Sequence, residues 1–232
     1  MNRMIFLPIL FLFFACCNFG EQETEPEQHN ATKQYTETSQ QKERESQTDP
    51  VGTDCDVHGS ANPHRPEYSL NVYKNRYSIP QKSDYIDEIT INQLILSGNE
   101  NEFPIEKAVV ISGYVFNVKM GGIETCNCKN TDERFRDTHI ELTPDKEHTG
   151  PEYRLIVEVT PRIRTLMSVK GIDWSTEELK STLIGHSVKV SGWLFYDEEH
   201  KSQSFATNPA GERNWRASCW EIHPITNIEI IH

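Results

Sequence analysis

One phrase occurs twice in the chain, and both copies have the composition of a β-strand bent near its middle. Val109-Val110-Ile111-Ser112-Gly113-Tyr114-Val115-Phe116 returns 79 residues later as Val188-Lys189-Val190-Ser191-Gly192-Trp193-Leu194-Phe195. β-Branched and aromatic residues in partial alternation favour the pleated, half-buried surface of a sheet. A glycine inside such a run marks a bulge or a sharp bend, which a strand needs if it serves two sides of a small barrel. The two segments are therefore expected to be neighbouring strands of a short sheet rolled shut.

The other elements fall around this pair. The first strand is expected over 108–118, a second over 137–143 and a third over 153–160. Thr160-Pro161 is a helix start. Ser175-Thr176-Glu177-Glu178 is a capping box with Trp174 and Leu179 as its hydrophobic staple, and it predicts a helix over 176–183 that Gly185 ends. A fourth strand is expected over 187–197 and a fifth over 218–230, where Pro224 demands a bend or an edge. Upstream, Thr90-Ile91-Asn92-Gln93 predicts a short helix through Leu96. It lies within an arm (61–107) that carries several prolines and tyrosines and is otherwise irregular. Lys74-Asn75-Arg76 reads there as a solvated basic turn.

Three strands, a helix and two strands is an order that resembles the OB-fold, a five-stranded Greek-key barrel that binds oligonucleotides or oligosaccharides. The resemblance covers residues 108–232 and rests on element order. It implies a mainly β domain with an inserted helix. It also implies a binding cleft on the second and third strands, between the loops 119–136 and 198–216. The phrases Gly121-Gly122-Ile123-Glu124-Thr125-Cys126-Asn127-Cys128 and Trp220-Glu221-Ile222-His223-Pro224 are also similar to a group of exported bacterial hypothetical proteins, a likeness that implies no activity.

The N-terminus reads as an address. Arg3 precedes the apolar run Met4–Phe14, which is too short to span a bilayer and suits a signal peptide. Phe13-Phe14-Ala15-Cys16 resembles a bacterial lipobox, although Phe13 stands where leucine is usual. Residues 1–16 are thus expected to be a lipoprotein signal, with Cys16 carrying the lipid, palmitate included. The protein would then be a membrane-anchored component of a bacterial cell envelope, at the outer membrane or periplasmic face. Residues 17–60 carry 10 acids against 3 bases and almost no aliphatic side chains. That composition buries too little apolar surface to offset ordering, so a disordered acidic linker is expected. The net charge of −12 is concentrated there, and 108–232 holds 18 acids and 14 bases. Such a balance weighs against grip on a nucleic-acid backbone.

Candidate chemistry gathers in the two long loops. Cys126, Cys128, His139 and His223 have the atoms of a zinc site. Asp137 and Glu141 offer oxygen ligands. A disulfide from Cys126 or Cys128 to Cys219 or Cys55, or free thiols, are the alternatives for the cysteines. His139, Glu141, His200, Asn214, Trp215 and Arg216 are the candidate ligand-binding residues, with Trp215 and Arg216 able to stack on a base or a sugar. No Ser-His-Asp elbow, Walker loop or His-Glu-x-x-His is present. Three functions remain open: an envelope binding module using the barrel cleft for an oligosaccharide, an oligonucleotide or an envelope protein; a metal-dependent hydrolase using Asp137, His139, His200 and His223; and a structural interaction module.

Overall fold

The computed structural model describes residues 55–231. The expected signal peptide, Cys16 and most of the acidic linker lie outside the described residues.

Five strands close into a barrel: β1 (Ala108–Met120), β2 (Thr138–Thr143), β3 (Leu155–Val159), β4 (Ser187–Tyr196) and β5 (Trp220–Ile231). Their order around the barrel is β1-β2-β3-β5-β4, and β4 pairs back onto β1. All pairings are antiparallel except that of β3 with β5, so the sheet is mixed. Among the described residues four α-helices accompany it: α1 (Pro66–Lys74), α2 (Ile91–Leu96), α3 (Pro161–Val169) and α4 (Thr176–Leu183). The strand order, with α3 and α4 between β3 and β4, is compatible with an OB-like barrel.

The echoing segments do lie side by side, with Val109 opposite Gly192 and Gly113 opposite Val188. The two glycines serve different ends. At Gly192 the β4–β5 register slips, and a Cβ there would collide with the Pro224 carbonyl. In β1 the irregularity falls between Val115 and Asn117, not at Gly113. Pro224 sits at the β4–β5 slip, within a strand that has a partner on either side.

Helix starts follow local chemistry. Thr90 caps α2 with a full capping box to Gln93, Thr160 caps α3 ahead of Pro161, and the Ser175 hydroxyl accepts from the Glu178 backbone N–H at the start of α4. The arm departs from the irregular path expected of it. Residues 66–74 are helical, started by Pro66 at the first position, where its missing N–H costs nothing. Lys74, Asn75 and Arg76 are buried rather than solvated. The arm turns inward, so its charges become structural.

Alternate residues of the strands point inward. Ile140 and Leu142 of β2, Leu155, Val157 and Val159 of β3, Leu194 of β4 and Ile222 of β5 form the apolar interior, and α2, α3 and α4 contribute Leu94, Ile163, Leu179 and Leu183 to the same cluster. The residues between them face outward: His139 and Glu141, Ile156 and Glu158, Glu221 and His223. These are buried as well, at 7% exposure or less. A second layer covers them, consisting of α1, the segment leading into it, and the loops after β1 and β4.

Candidate metal centre

Strand register assembles the centre. His139 lies opposite Glu158 across β2 and β3, and Ile156 lies beside Glu221 in the parallel β3–β5 pair. Side chains two residues apart share a face, so His139, Glu158, Glu221 and His223 form one outward row over three strands. Glu158 is its hinge: Oε1 lies 3.1 Å from His139 Nε2, and Oε2 lies 3.4 Å from His223 Nδ1. Glu221 holds Nδ1 of His223 at 3.2 Å with one oxygen and the Arg216 guanidinium at 2.7 Å with the other.

The loop after β1 closes the row from above. Gly121 lets it pass over His139; a Cβ there would stand 2.8 Å from Nε2. Beyond it come Glu124, Cys126, Asn127 and Asp137. Asn127 Nδ2 donates to Asp137 Oδ2 at 2.8 Å, and the Cys126 thiol lies 3.4 Å from Glu124 and 3.8 Å from Asp137. The arm fixes this loop. A Cys55–Cys128 disulfide joins the two, Asn75 donates to the Cys126 carbonyl, and Asn71 donates to Thr125. From the other side the Arg162 guanidinium donates to the carbonyls of Cys55 and Asp56. Lys74, at the end of α1, reaches Glu124 at 3.0 Å and Asp197 at 2.9 Å.

The charge in this layer does not balance. Glu124, Asp137, Glu158, Asp197 and Glu221 outnumber the cations Lys74, Arg216 and, at the edge of the layer, Arg162. Burying unpaired charge is costly, and such groups shift their proton affinity instead. Burial, with Glu221 and Glu124 nearby, pushes the Glu158 carboxyl well above its ordinary value. Burial likewise raises Asp137 and the Cys126 thiol. Burial holds the His139 imidazole down to about 4, so it is neutral at pH 7 and able to ligate. The paired acids behave oppositely. Burial would raise Glu124, but Lys74 and His139 outweigh it and bring it to about 2; Arg216 similarly outweighs burial at Glu221 and lowers it. Burial would lower Lys74, but Asp197 and Glu124 outweigh it and keep it charged.

Buried polar atoms ordinarily have hydrogen-bond partners. Here Asp137 Oδ1 and His223 Nε2 have no hydrogen-bond partner, and His139 Nε2 and Glu158 Oε2 have only the ionic contacts within the row. Asp137, Glu158 and His223 each bring a ligand atom within 4.8 Å of the others, as do Glu124, Cys126 and Asp137. Neutral imidazole and carboxylate donors converging at unmet positions fit a divalent transition metal such as zinc.

The sequence-predicted residues divide accordingly. His139 and His223 meet in the row, and Cys126 sits beside it. Cys128 is committed to the disulfide with Cys55, one of the pairings open from sequence, and so has no thiol to offer. Glu141 is paired with Lys119 at 2.6 Å and Arg154 at 3.4 Å. Arg216 is wholly buried on Glu221. Trp215 donates to Gln203 beneath the Lys119 ammonium, Asn214 donates to the Asn208 carbonyl, and His200 packs edge-on to Trp215. The cleft expected between the two loops is thus filled: Lys74 bridges Glu124 to Asp197 across it, and Lys119 stacks on Trp215. Glu158, Glu221, Glu124 and Lys74 were not singled out as site residues by sequence. One signal was available for Glu158. It shares a strand face with Ile156, and an apolar residue on the nominal solvent side says that the face is covered.

Among the described residues no helix is long and apolar enough to cross a membrane. The chain matches no protein-family model and no curated protein.

Proposed function

We propose that this protein is a metal-binding module, carried at the bacterial cell envelope on a lipidated Cys16, in which the outer face of β2, β3 and β5 holds a divalent transition-metal ion. Asp137, Glu158 and His223 are its ligands, and His139 orients Glu158 from the neighbouring strand. The observation that carries the reading is the convergence of Asp137, Glu158 and His223, whose ligand atoms lie within 4.8 Å of one another, with Asp137 Oδ1 and His223 Nε2 buried and without a partner, in a layer with an excess of carboxylate. In an OB-like barrel this face, between the loops after β1 and β4, is the one used for binding. Here the arm seals it. Closed metal sites are structural or storage sites, whereas catalytic ones keep a position open. Sealing therefore favours binding over hydrolysis, and it disfavours an oligosaccharide or oligonucleotide in the same cleft.

The test is metal analysis of the full chain purified without chelator, beside Glu158→Gln/His223→Gln. Stoichiometric zinc, manganese or iron in the wild type, lower by one equivalent in the double variant, is the expected result. Absence of metal, together with no uptake on adding each ion, would overturn the reading.

A further inference from the structure

The loop residues beside the row offer a second position. We propose that the centre takes two divalent ions, with Asp137 as the shared ligand and the second ion, a thiophilic one, held by Cys126 and Glu124. This rests on the metal-binding reading above and extends it.

Asp137 is common to both ligand groups, Glu124–Cys126–Asp137 and Asp137–Glu158–His223, and within each group the ligand atoms lie within 4.8 Å of one another. Its two oxygens have different surroundings. Oδ2 accepts from Asn127 and lies toward the Cys126 thiol, while Oδ1, fully buried, has no hydrogen-bond partner. A carboxylate so divided suits two ions about 3.5–4 Å apart, the spacing of paired-metal centres. Glu124 is divided in the same way. Oε2 meets Lys74 and Cys126, and Oε1 faces His139 Nε2 at 4.0 Å.

Charge agrees with a second ion: the carboxylates and the Cys126 thiol, which gives up its proton to solvent on binding, outnumber the cations Lys74, Arg162 and Arg216 around them. The donors separate the ions by chemistry. The Glu158–His223 position has only nitrogen and oxygen, which suits zinc, manganese or iron. The Cys126 position adds a sulfur, which selects zinc, cobalt or cadmium. Lys74 stays on Asp197 and Glu124 and fixes the loop, as neighbouring groups fix metal ligands elsewhere. Cys126 is a free thiol, 2% exposed, beside the Cys55–Cys128 disulfide.

Cobalt(II) titration of the full chain tests this, because thiolate ligation produces a near-ultraviolet charge-transfer band. The wild type is expected to bind two equivalents and show the band. Cys126→Ala is expected to bind one equivalent without the band, and Glu158→Gln/His223→Gln one equivalent with it. Cys219→Ala, at a thiol hydrogen-bonded to Thr207, leaves both readings unchanged. One equivalent without a thiolate band in the wild type would overturn the second position and leave the first standing. One equivalent with the band would overturn the pairing and place the single ion at Cys126. No uptake would overturn both readings. Should Cys126→Ala fail to fold, the wild-type stoichiometry and the band in the double variant decide the matter.

Discussion

Strands β2, β3 and β5 each build two buried surfaces from alternating residues, and the two surfaces are chemically opposite. The inner one is aliphatic: Ile140, Leu142, Leu155, Val157, Val159 and Ile222. The outer one, two residues out of every four on the same strands, carries His139, Glu141, Glu158, Glu221 and His223. Both are shut off from water. An inner face of this kind is what folding requires. An outer face of this kind is not: replacing buried ion networks with apolar residues is often neutral or stabilising. On the metal-binding proposal, the contrast separates the part of the barrel that holds the fold from the part that holds an ion.

The largest expected effects lie on the apolar side. Trp220→Ala removes a fully buried ring that packs against Phe103 and Tyr196 and donates to Ser97. A loss of about 3–5 kcal/mol is expected in denaturant unfolding, equal with and without metal. A loss that shrank on adding zinc would blur the distinction between the two faces.

The covering layer is next. The Cys55–Cys128 disulfide closes a loop with a sequence separation of 73 residues. Cys55→Ser/Cys128→Ser is expected to cost about 2–4 kcal/mol. It is also expected to raise hydrogen exchange in 55–76 and 121–128 while the barrel strands stay protected. Uniform loss of protection would mean that arm and barrel are one unit.

Proton linkage then tests the outer face itself. Glu158 has its proton affinity raised on folding. Its stabilising contribution is therefore complete below its ordinary value of 4.5 and is lost as pH rises toward the folded value. Glu158→Gln mimics the protonated carboxyl. Stripped of metal, this variant is expected to be more stable than stripped wild type at pH 8, and no more stable at pH 4. Added zinc is expected to reverse the order at pH 8, since only the wild type keeps the ligand. A variant less stable than wild type under chelator at pH 8 would mean that Glu158 is a satisfied structural acid.

The smallest effect marks the ordinary surface. Lys201 pairs with Glu100 at 2.6 Å, but both are about half exposed. Lys201→Ala is expected to change stability by less than about 0.5 kcal/mol and to leave metal uptake unchanged. A larger change would show that the charged surface as a whole, not one face of it, is tuned.

The barrel was more legible in the sequence than the site was, and the reason is range. Helix α4 was expected over 176–183 and runs Thr176–Leu183, because capping is decided within four residues. The glycine-marked echoes announced adjacent strands because alternation and small residues are local signs of pairing. The row of His139, Glu158 and His223 depends on strand register, and its burial depends on the arm. Lys74 lies 50 residues from Glu124, and Arg162 lies 107 residues from the Cys55 carbonyl it holds. No local pattern encodes such contacts. Lys74-Asn75-Arg76 therefore reads as a wet turn until the fold turns it inward, and α1 is obscured by the prolines around it. The two histidines were legible as candidate ligands from residue type alone. Their carboxylate partners were not, because a glutamate in a strand reads as solvent-facing unless something covers it.

The most direct measurement is anomalous diffraction at a metal edge from crystals of the zinc-loaded protein. A peak on the outer face, about 2.0–2.2 Å from an imidazole nitrogen of His223 and from carboxylate oxygens of Asp137 and Glu158, is the predicted result. A zinc-loaded crystal with no anomalous peak on that face, its Glu158 hydrogen-bonded to both imidazoles instead, would contradict the account.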